Sequence, residues 1–350
     1  MSLVKKYKIK CLYLVVILLF IIYIIGPMIL REKNRTEKNG KKYIFGKMLT
    51  IDTDIGGIGN NIFEIISFFG IAKQLHRIPI ISKNAMLHIR QKHSNFKNIL
   101  AAFEIGQIKY YSKSIAFLNK CCTFETINFF DRYSDIKYID IELEYVQSYK
   151  YFQNCTREVI LSMLRMTPSI EEYAKMRIVS PSLLNKADHV ICVHTRRGDF
   201  ISSTFHAHSS EEFTIPALEL LGKRVRRASK KSIIVMLGDD RMWMKNVIRN
   251  KRLKNMDIIV AQNDNTFPPE VEWEFSRLYC DSVLLTASAS TFGWWLAYFS
   301  KGYNVYYNTE FAKPGGSKDA FNPDDFFPSE WIPLEYDLSS HSVGVRSPRI

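Results

Sequence analysis

The distribution of apolar positions divides the chain into an anchor and a globular body. Cys11 to Leu30 is a run of twenty residues without a charge, closed by Lys10 on one side and Arg31 on the other. As a helix rising ~1.5 Å per residue it spans ~30 Å, the thickness of a hydrocarbon core. Gly26-Pro27 kinks or ends it, and it lacks the shorter apolar stretch and small-residue cleavage site of a removable signal. The pattern predicts residues 1–10 as a cytoplasmic tail, 11–30 as a transmembrane signal-anchor in membrane lipid, and 31–47 as a polar stem. Lys5, Lys6, Lys8 and Lys10 favour a cytoplasmic N-terminus, although the far flank is equally basic and the positive-inside rule does not decide.

From Met48 onward the periodicity becomes that of an α/β protein. Met48 to Ile51 is read as a strand, Gly56 to Asn61 as a glycine-rich break, Ile62 to Gln74 as a helix with one polar stripe, and Ile78 to Ile81 as the next strand. Strand, glycine turn, helix and strand make a βαβ unit. Residues 155–180 read as helical, and Pro181 with the polar stretch to Asp188 marks a domain boundary. The rhythm then resumes. Strands are predicted at 189–193, 232–237, 257–260, 282–285 and 303–307, the last closing the sheet, with helices near 211–229, 239–250, 270–280 and 291–300. Two domains follow, 48–185 and 186–350, each with a parallel sheet.

The formal net charge of +13 raises the possibility of nucleic-acid binding, but its placement argues against it. Residues 1–47 hold eleven Lys or Arg against Glu32 and Glu37, so nine of the thirteen net charges flank the apolar run. That placement suits a membrane surface. The basic clusters at 223–231 and 249–254 read as solvated faces, and no nucleic-acid partner is expected. Sequons at Asn34 and Asn154 are usable glycosylation sites if the C-terminal bulk is luminal. Of six cysteines, Cys11 belongs to the anchor and Cys192 to a buried-looking strand, leaving Cys121, Cys122, Cys155 and Cys280 as disulfide candidates. Adjacent Cys121 and Cys122 are not expected to pair with each other.

Candidate chemistry concentrates at His194-Thr195-Arg196-Arg197-Gly198-Asp199-Phe200, directly after a predicted buried strand. This is the carboxyl edge at which α/β folds place ligands, and paired guanidinium groups match phosphate oxygens. An Arg–Asp pairing with Asp199 is the plainer alternative. Ser290-Thr291-Phe292 supplies a helix start whose free N–H groups face an anion.

The run His194 to Phe200 resembles the His-x-Arg-Arg-Gly-Asp motif of the α-1,2-fucosyltransferases, glycosyltransferase family 11. In order along the chain, Gly56 to Phe63 is similar to the Gly-Arg-x-Gly-Asn-Gln-x-Phe opening of those enzymes. Leu237 to Trp243 is similar to their Ser-Asp-Asp…Trp segment, and Ser288 to Trp295 to their Ser-Thr-Phe-Gly-Trp-Trp segment. The resemblance implies a GT-B type fold, two Rossmann-like domains facing across a cleft. The first would be the acceptor side and the second would bind the nucleotide sugar. It implies transfer of L-fucose from GDP-fucose to a galactose-terminated glycan in α-1,2 linkage. Transfer would be inverting and independent of metal or other cofactor, in a single-pass type II Golgi membrane protein with a luminal catalytic portion.

Carried over, Arg196 and Arg197 clamp the pyrophosphate with His194 beside them, and Arg197 supplies the main transition-state charge. Asp239 and Asp240 accept from guanine or ribose, Ser290, Thr291 and Phe292 meet a phosphate, and Gly56, Gly59 and Asn60 approach from across the cleft. Asp199 is the expected base, with His206, His208, Glu211 and Glu212 as downstream alternatives. Trp243, Trp294 and Trp295 read as packing residues. Two departures stand out: Gly57 replaces the family's Arg, and Asn61 its Gln. Two other readings stay open. One is a metal-dependent transferase using Asp52-Thr53-Asp54; the other is a membrane-anchored protein that binds a nucleotide sugar or glycan without turnover.

Overall fold

A computed structural model describes residues 40–108, 112–116, 121–228, 231–262, 267–313 and 321–346. The predicted tail, the 11–30 span, most of the stem and Asn34 lie outside the described residues. Among the described residues no helix is long and apolar enough to cross a membrane.

The first sheet is formed by β1 (Tyr43–Met48), β2 (Ile78–Ile81), β3 (Glu104–Ile105), β4 (Lys113–Ile115) and β5 (Tyr138–Leu143), in the order β3-β2-β1-β5-β4. Its pairings are all parallel. The opening strand therefore lies within the span read as stem, and the predicted strand at 48–51 is instead a helical turn, Leu49–Asp52. Lys47 concealed this. It occupies an outward position of an otherwise buried strand and faces Glu142 at 4.0 Å.

The glycine break feeds helix α1 (Ile58–Gln74), which closes the predicted βαβ unit. Helix α2 (Lys83–Lys92) follows β2 and is capped by Ser82. The single helix expected over 155–180 is interrupted between α3 (Arg157–Met163) and α4 (Pro168–Met176). Pro168 cannot continue a preceding helix but fits the first turn of a new one.

The second sheet runs β12-β11-β10-β9-β6-β7-β8. It comprises β6 (His189–Thr195), β7 (Ser232–Gly238), β8 (Ile258–Val260), β9 (Ser282–Leu285), β10 (Asn304–Asn308), β11 (Ile332–Asp337) and β12 (Ser342–Val345). All neighbours are parallel except β11 and β12. The sheet does not end at 303–307 as expected. Two further strands extend it, and the last, β12, is short and mostly exposed, as edge strands are. Its helices are α5 (Glu211–Arg227), α6 (Arg241–Val247), α7 (Glu270–Tyr279) and α8 (Thr291–Phe299).

The halves are not merely opposed. One apolar cluster contains Phe63 and Phe68 of α1, Trp273 of α7, and Trp294 and Trp295 of α8. A helix buried nearly all round needs apolar residues all round. That explains the apolar run of α1, which is buried from Ile62 through Phe68 without interruption, its polar Glu64 and Ser67 being satisfied by Thr50 and by Val146 O. Phe63 packs 4.6 Å from Trp294 and 5.1 Å from Trp295 between ring centroids. Each buried indole also finds an acceptor: Trp295 Nε1 donates to Gly59 O at 3.1 Å and Trp294 Nε1 to Phe326 O at 2.8 Å. The tryptophans thus pack as expected, and they do so across the seam between the halves.

Cys192 and Cys280 form a disulfide joining β6 to the end of α7, with Cα atoms 5.5 Å apart. This corrects the sequence reading, which set Cys192 aside as a strand residue. Sheet register brings β6 beside β9, with Cys192 opposite Val283, so Cys280, two residues before β9, meets the buried strand. Cys121, Cys122 and Cys155 are not part of that bond. Asn154 is exposed in a turn.

Candidate active site

A cavity of about 690 Å³ opens where the two halves meet. Two helix amino ends define it: Gly57 to Asn60 at the start of α1, and Ala289 to Phe292 at the start of α8. Sequence reasoning expected these loops to face each other across a cleft. They touch instead. Thr291 Oγ1 donates to Asn60 Oδ1 at 2.7 Å, and Asn60 Oδ1 also accepts from Gln147 Nε2 at 3.1 Å. A Cβ on Gly59 would lie 2.7 Å from Phe292 N, so only glycine permits this approach. Ser290 caps α8, its Oγ accepting from Gly293 N at 3.3 Å. Unpaired N–H groups and the positive ends of two helix dipoles therefore converge on one space, which favours an anion.

The β6–β7 edge supplies the rest. Arg196, Asp199 and Asp239 line the cavity. Arg196 Nε donates to Asp199 Oδ1 at 2.8 Å and lies 3.4 Å from Asp239 Oδ2. Its Nη groups have no hydrogen-bond partner among the described residues. Arg197 does not join it. Its guanidinium turns behind the wall, donating from Nε to Asp240 Oδ2 at 3.1 Å and from Nη1 to Ser209 O at 2.7 Å. It also stacks 4.8 Å above Trp243. Asp240 is occupied likewise, capping α6 by accepting from Trp243 N at 2.9 Å. In this structure the expected arginine pair is therefore one arginine at the cavity and one holding the wall behind it. Of the two aspartates, only Asp239 faces the space.

His194 lines the cavity floor and is almost fully buried. Burial, and then the neighbouring Arg196 charge, press its pKa down to about 3, so it is a neutral imidazole. Its Nδ1 has no partner and abuts Gly293, where a Cβ would collide with it. His206 also lines the space, stacked on Phe200 at 4.4 Å, its pKa lowered chiefly by burial. His208, Glu211 and Glu212 stand outside the lining, as does Gly56. Asp54 lies away from the cavity and pairs with Lys92 at 3.1 Å.

Several lining residues escaped the sequence reading: Cys121, Cys122, Tyr145, Gln147, Phe205 and Glu272. Tyr145 and Cys122 carry positive φ, 48° and 64°. Left-handed non-glycine backbone of this kind collects at functional sites. An isolated glutamate or glutamine carries no motif, so the only sequence signal was the adjacent cysteine pair.

The glycosyl transferase family 11 model matches residues 50–335. The chain belongs to that family, the α-1,2-fucosyltransferases. A Caenorhabditis elegans galactoside 2-alpha-L-fucosyltransferase is 30% identical over 353 residues, covering 93% of this chain and 94% of the relative. A second of the same name and organism is 29% identical, covering 89% and 82%. Among solved structures, an Arabidopsis thaliana FUT1 mutant in complex with GDP aligns at a TM-score of 0.47 and 12% identity, covering 83% of this chain and 75% of that one. NodZ alpha-1,6-fucosyltransferase soaked with GDP-fucose aligns at 0.40 and 11%, covering 89% and 100%. Of the motif residues, His194, Arg196, Asp199, Asp239, Gly59, Asn60 and Ser290 to Phe292 meet at the cavity, while Arg197 and Asp240 buttress it.

Proposed function

We propose that the chain transfers L-fucose from GDP-fucose to a hydroxyl of a galactose-terminated glycan, in α-1,2 linkage and with inversion. The observation that carries this reading is the meeting of two helix amino ends beside Arg196. As the glycosidic bond breaks, negative charge grows on the β-phosphate. Fixed N–H dipoles and the free Nη groups of Arg196 then stabilise the transition state more than the ground state. These groups act without a divalent metal. Asp199, bonded to Arg196, stands on the leaving-group side. In-line attack brings the acceptor hydroxyl to the opposite face of the sugar, so we assign Asp199 to orienting Arg196 and place the base on the facing wall. Neutral His194 supplies shape beneath the site without adding a charge.

The proposal extends to location: a single-pass type II protein of the Golgi membrane with a luminal catalytic portion. The Cys192–Cys280 disulfide supports an oxidising compartment, and the exposed Asn154 sequon supports glycosylation there. The open position at Gly57 favours one competing reading, nucleotide-sugar binding without turnover. The test is incubation of the full-length chain in detergent with a panel of nucleotide sugars and a glycan array, with and without EDTA, read by mass spectrometry. Consumption of GDP-fucose and a fucose-sized mass gain on galactose-terminated glycans, unchanged by EDTA, is the expected result. GDP binding with no donor consumed would replace this reading with the non-catalytic one.

A further inference from the structure

We propose that Cys121 and Cys122 join in a vicinal disulfide in the wall of the cavity, a covalent site that rigidifies the turn at 121–122 beside Gln147. The two Sγ atoms lie 2.6 Å apart. That is well inside the contact of unbonded sulfurs and approaches the ~2.05 Å of a disulfide. The left-handed backbone at Cys122, φ 64°, lets both side chains project to one side of the chain. The neighbourhood holds them there: Cys122 O accepts from Asn322 N at 3.1 Å, and each sulfur sits 3.4 Å from Gln147 Oε1.

The chemistry balances by thiol–disulfide exchange. Two S–H bonds are lost, one S–S bond forms, and the electrons and protons pass to the disulfide of a thiol oxidoreductase, which leaves as a dithiol. The chain already carries one such bond, Cys192–Cys280, so it matures where this oxidant class operates. Cys155, the remaining free cysteine among the described residues, stands apart from the cavity lining.

The pair connects directly to the site. Gln147 Nε2 donates to Asn60 Oδ1, which accepts from Thr291 at the start of α8. In the dithiol form both S–H groups donate to Gln147 Oε1. In the disulfide those donors are gone, and Gln147 Oε1 becomes an acceptor facing the cavity. On the fucosyl-transfer reading it would take a sugar hydroxyl, but the bond itself does not depend on that reading.

The test is peptide mapping of the full chain from a secretory host, denatured in iodoacetamide without reductant. Cleavage after Lys120 and Arg132 places both cysteines in one peptide, residues 121–132. That peptide is expected unalkylated and two hydrogens lighter than the dithiol. Mild phosphine treatment of the native protein should then render it doubly alkylable while Cys192–Cys280, fully buried, stays linked. Amide exchange at residues 121–124 should rise several-fold on that treatment. Two alkyl groups without reductant, or linkage of this peptide to Cys155 or another chain, overturns the bond. Unchanged exchange overturns its role in rigidifying the turn. A Cys155→Ser variant should map identically, which excludes reshuffling, and no arm reads transferase activity.

Discussion

Replacing Arg196 and Arg197 one at a time separates their roles, which their adjacency in sequence conceals. Arg196 reaches the cavity with its Nη groups unoccupied among the described residues and its Nε shared between Asp199 and Asp239. Removing it deletes a charged donor from the place where leaving-group charge develops, a loss on the scale of ~3–4 kcal/mol, or ~10²–10³ in kcat. Its other contacts are part-exposed ion pairs with Asp199 and Asp239, of a kind worth ~0–1 kcal/mol, so the melting temperature of Arg196→Ala should fall little. Arg197 shows the opposite commitments. Its side chain is 18% exposed, bonded to Asp240 and Ser209 O, and stacked on Trp243. Truncation removes hydrogen bonds that involve a charge, ~1.5–3 kcal/mol, and a cation–π contact of ~0.5–1 kcal/mol. Arg197→Ala should therefore lose stability first, by several degrees in Tm, with kcat falling less than in Arg196→Ala. Differential scanning fluorimetry and initial rates at saturating GDP-fucose, on both variants in parallel, measure the split. An Arg197→Ala protein with wild-type Tm and kcat reduced as far as in Arg196→Ala would refute the division, because it would require Arg197 to leave Asp240 and enter the site.

Three further outcomes follow from single positions. Gly57 has φ −81° and a Cβ there meets nothing within 4 Å. Gly57→Arg should therefore fold normally and tighten GDP by ~1–2 kcal/mol, roughly 5–30-fold in Kd by calorimetry; an unchanged Kd would show that this opening does not reach the phosphates. Cys280→Ser opens a bond spanning 88 residues, and a loss of ~2–5 kcal/mol is expected in urea denaturation, against none if the bond is dispensable. His93 is buried with both ring nitrogens unpartnered among the described residues, and burial presses its pKa down to about 4. Its folded pKa lies below the unfolded value of 6.5. The unfolded chain therefore takes up the proton first, and stability is lost as pH falls from 6.5 toward 4. His93→Phe should remove that loss, so its stability advantage over wild type should grow by on the order of 3 kcal/mol between pH 7 and pH 4; a pH-independent difference would contradict the assignment.

Three chemistry-bearing segments were legible because each follows a strand and carries its own signal, whereas the strand expected before the glycine loop is a helical turn. The strand before His194, the strand before Asp239 and the cap at Ser290 all lie where periodicity set them. Direction of side chains was not legible. Arg196 and Arg197 are equivalent in composition, and only the path of the turn into Gly198–Ser202 sends one to the cavity and the other to Trp243. The opening strand was lost because Lys47 broke a buried run at an outward position. Cys192 was set aside because a buried strand gives no hint of which cysteine its register brings near. Gln147 and Glu272 have no pattern around them; their membership of the site is a product of tertiary packing alone.

The shared core explains why the cavity lies at a seam. A nucleotide site built from one Rossmann-like half would need only that half's helix ends. Here α1 of the first half is buried against α8 of the second, and Trp295 bonds directly to the carbonyl of Gly59. The same indole that fills the core therefore fixes the separation of the two amino ends above it. Removing its ring, at ~3–5 kcal/mol for a large buried aromatic, would loosen the floor and misplace the N–H groups together. Stability and donor binding are thus coupled at α8, whereas at Arg196 they are separable. That contrast follows from where the cavity lies: over packing that joins the halves, with the Arg196 guanidinium reaching in from the sheet edge.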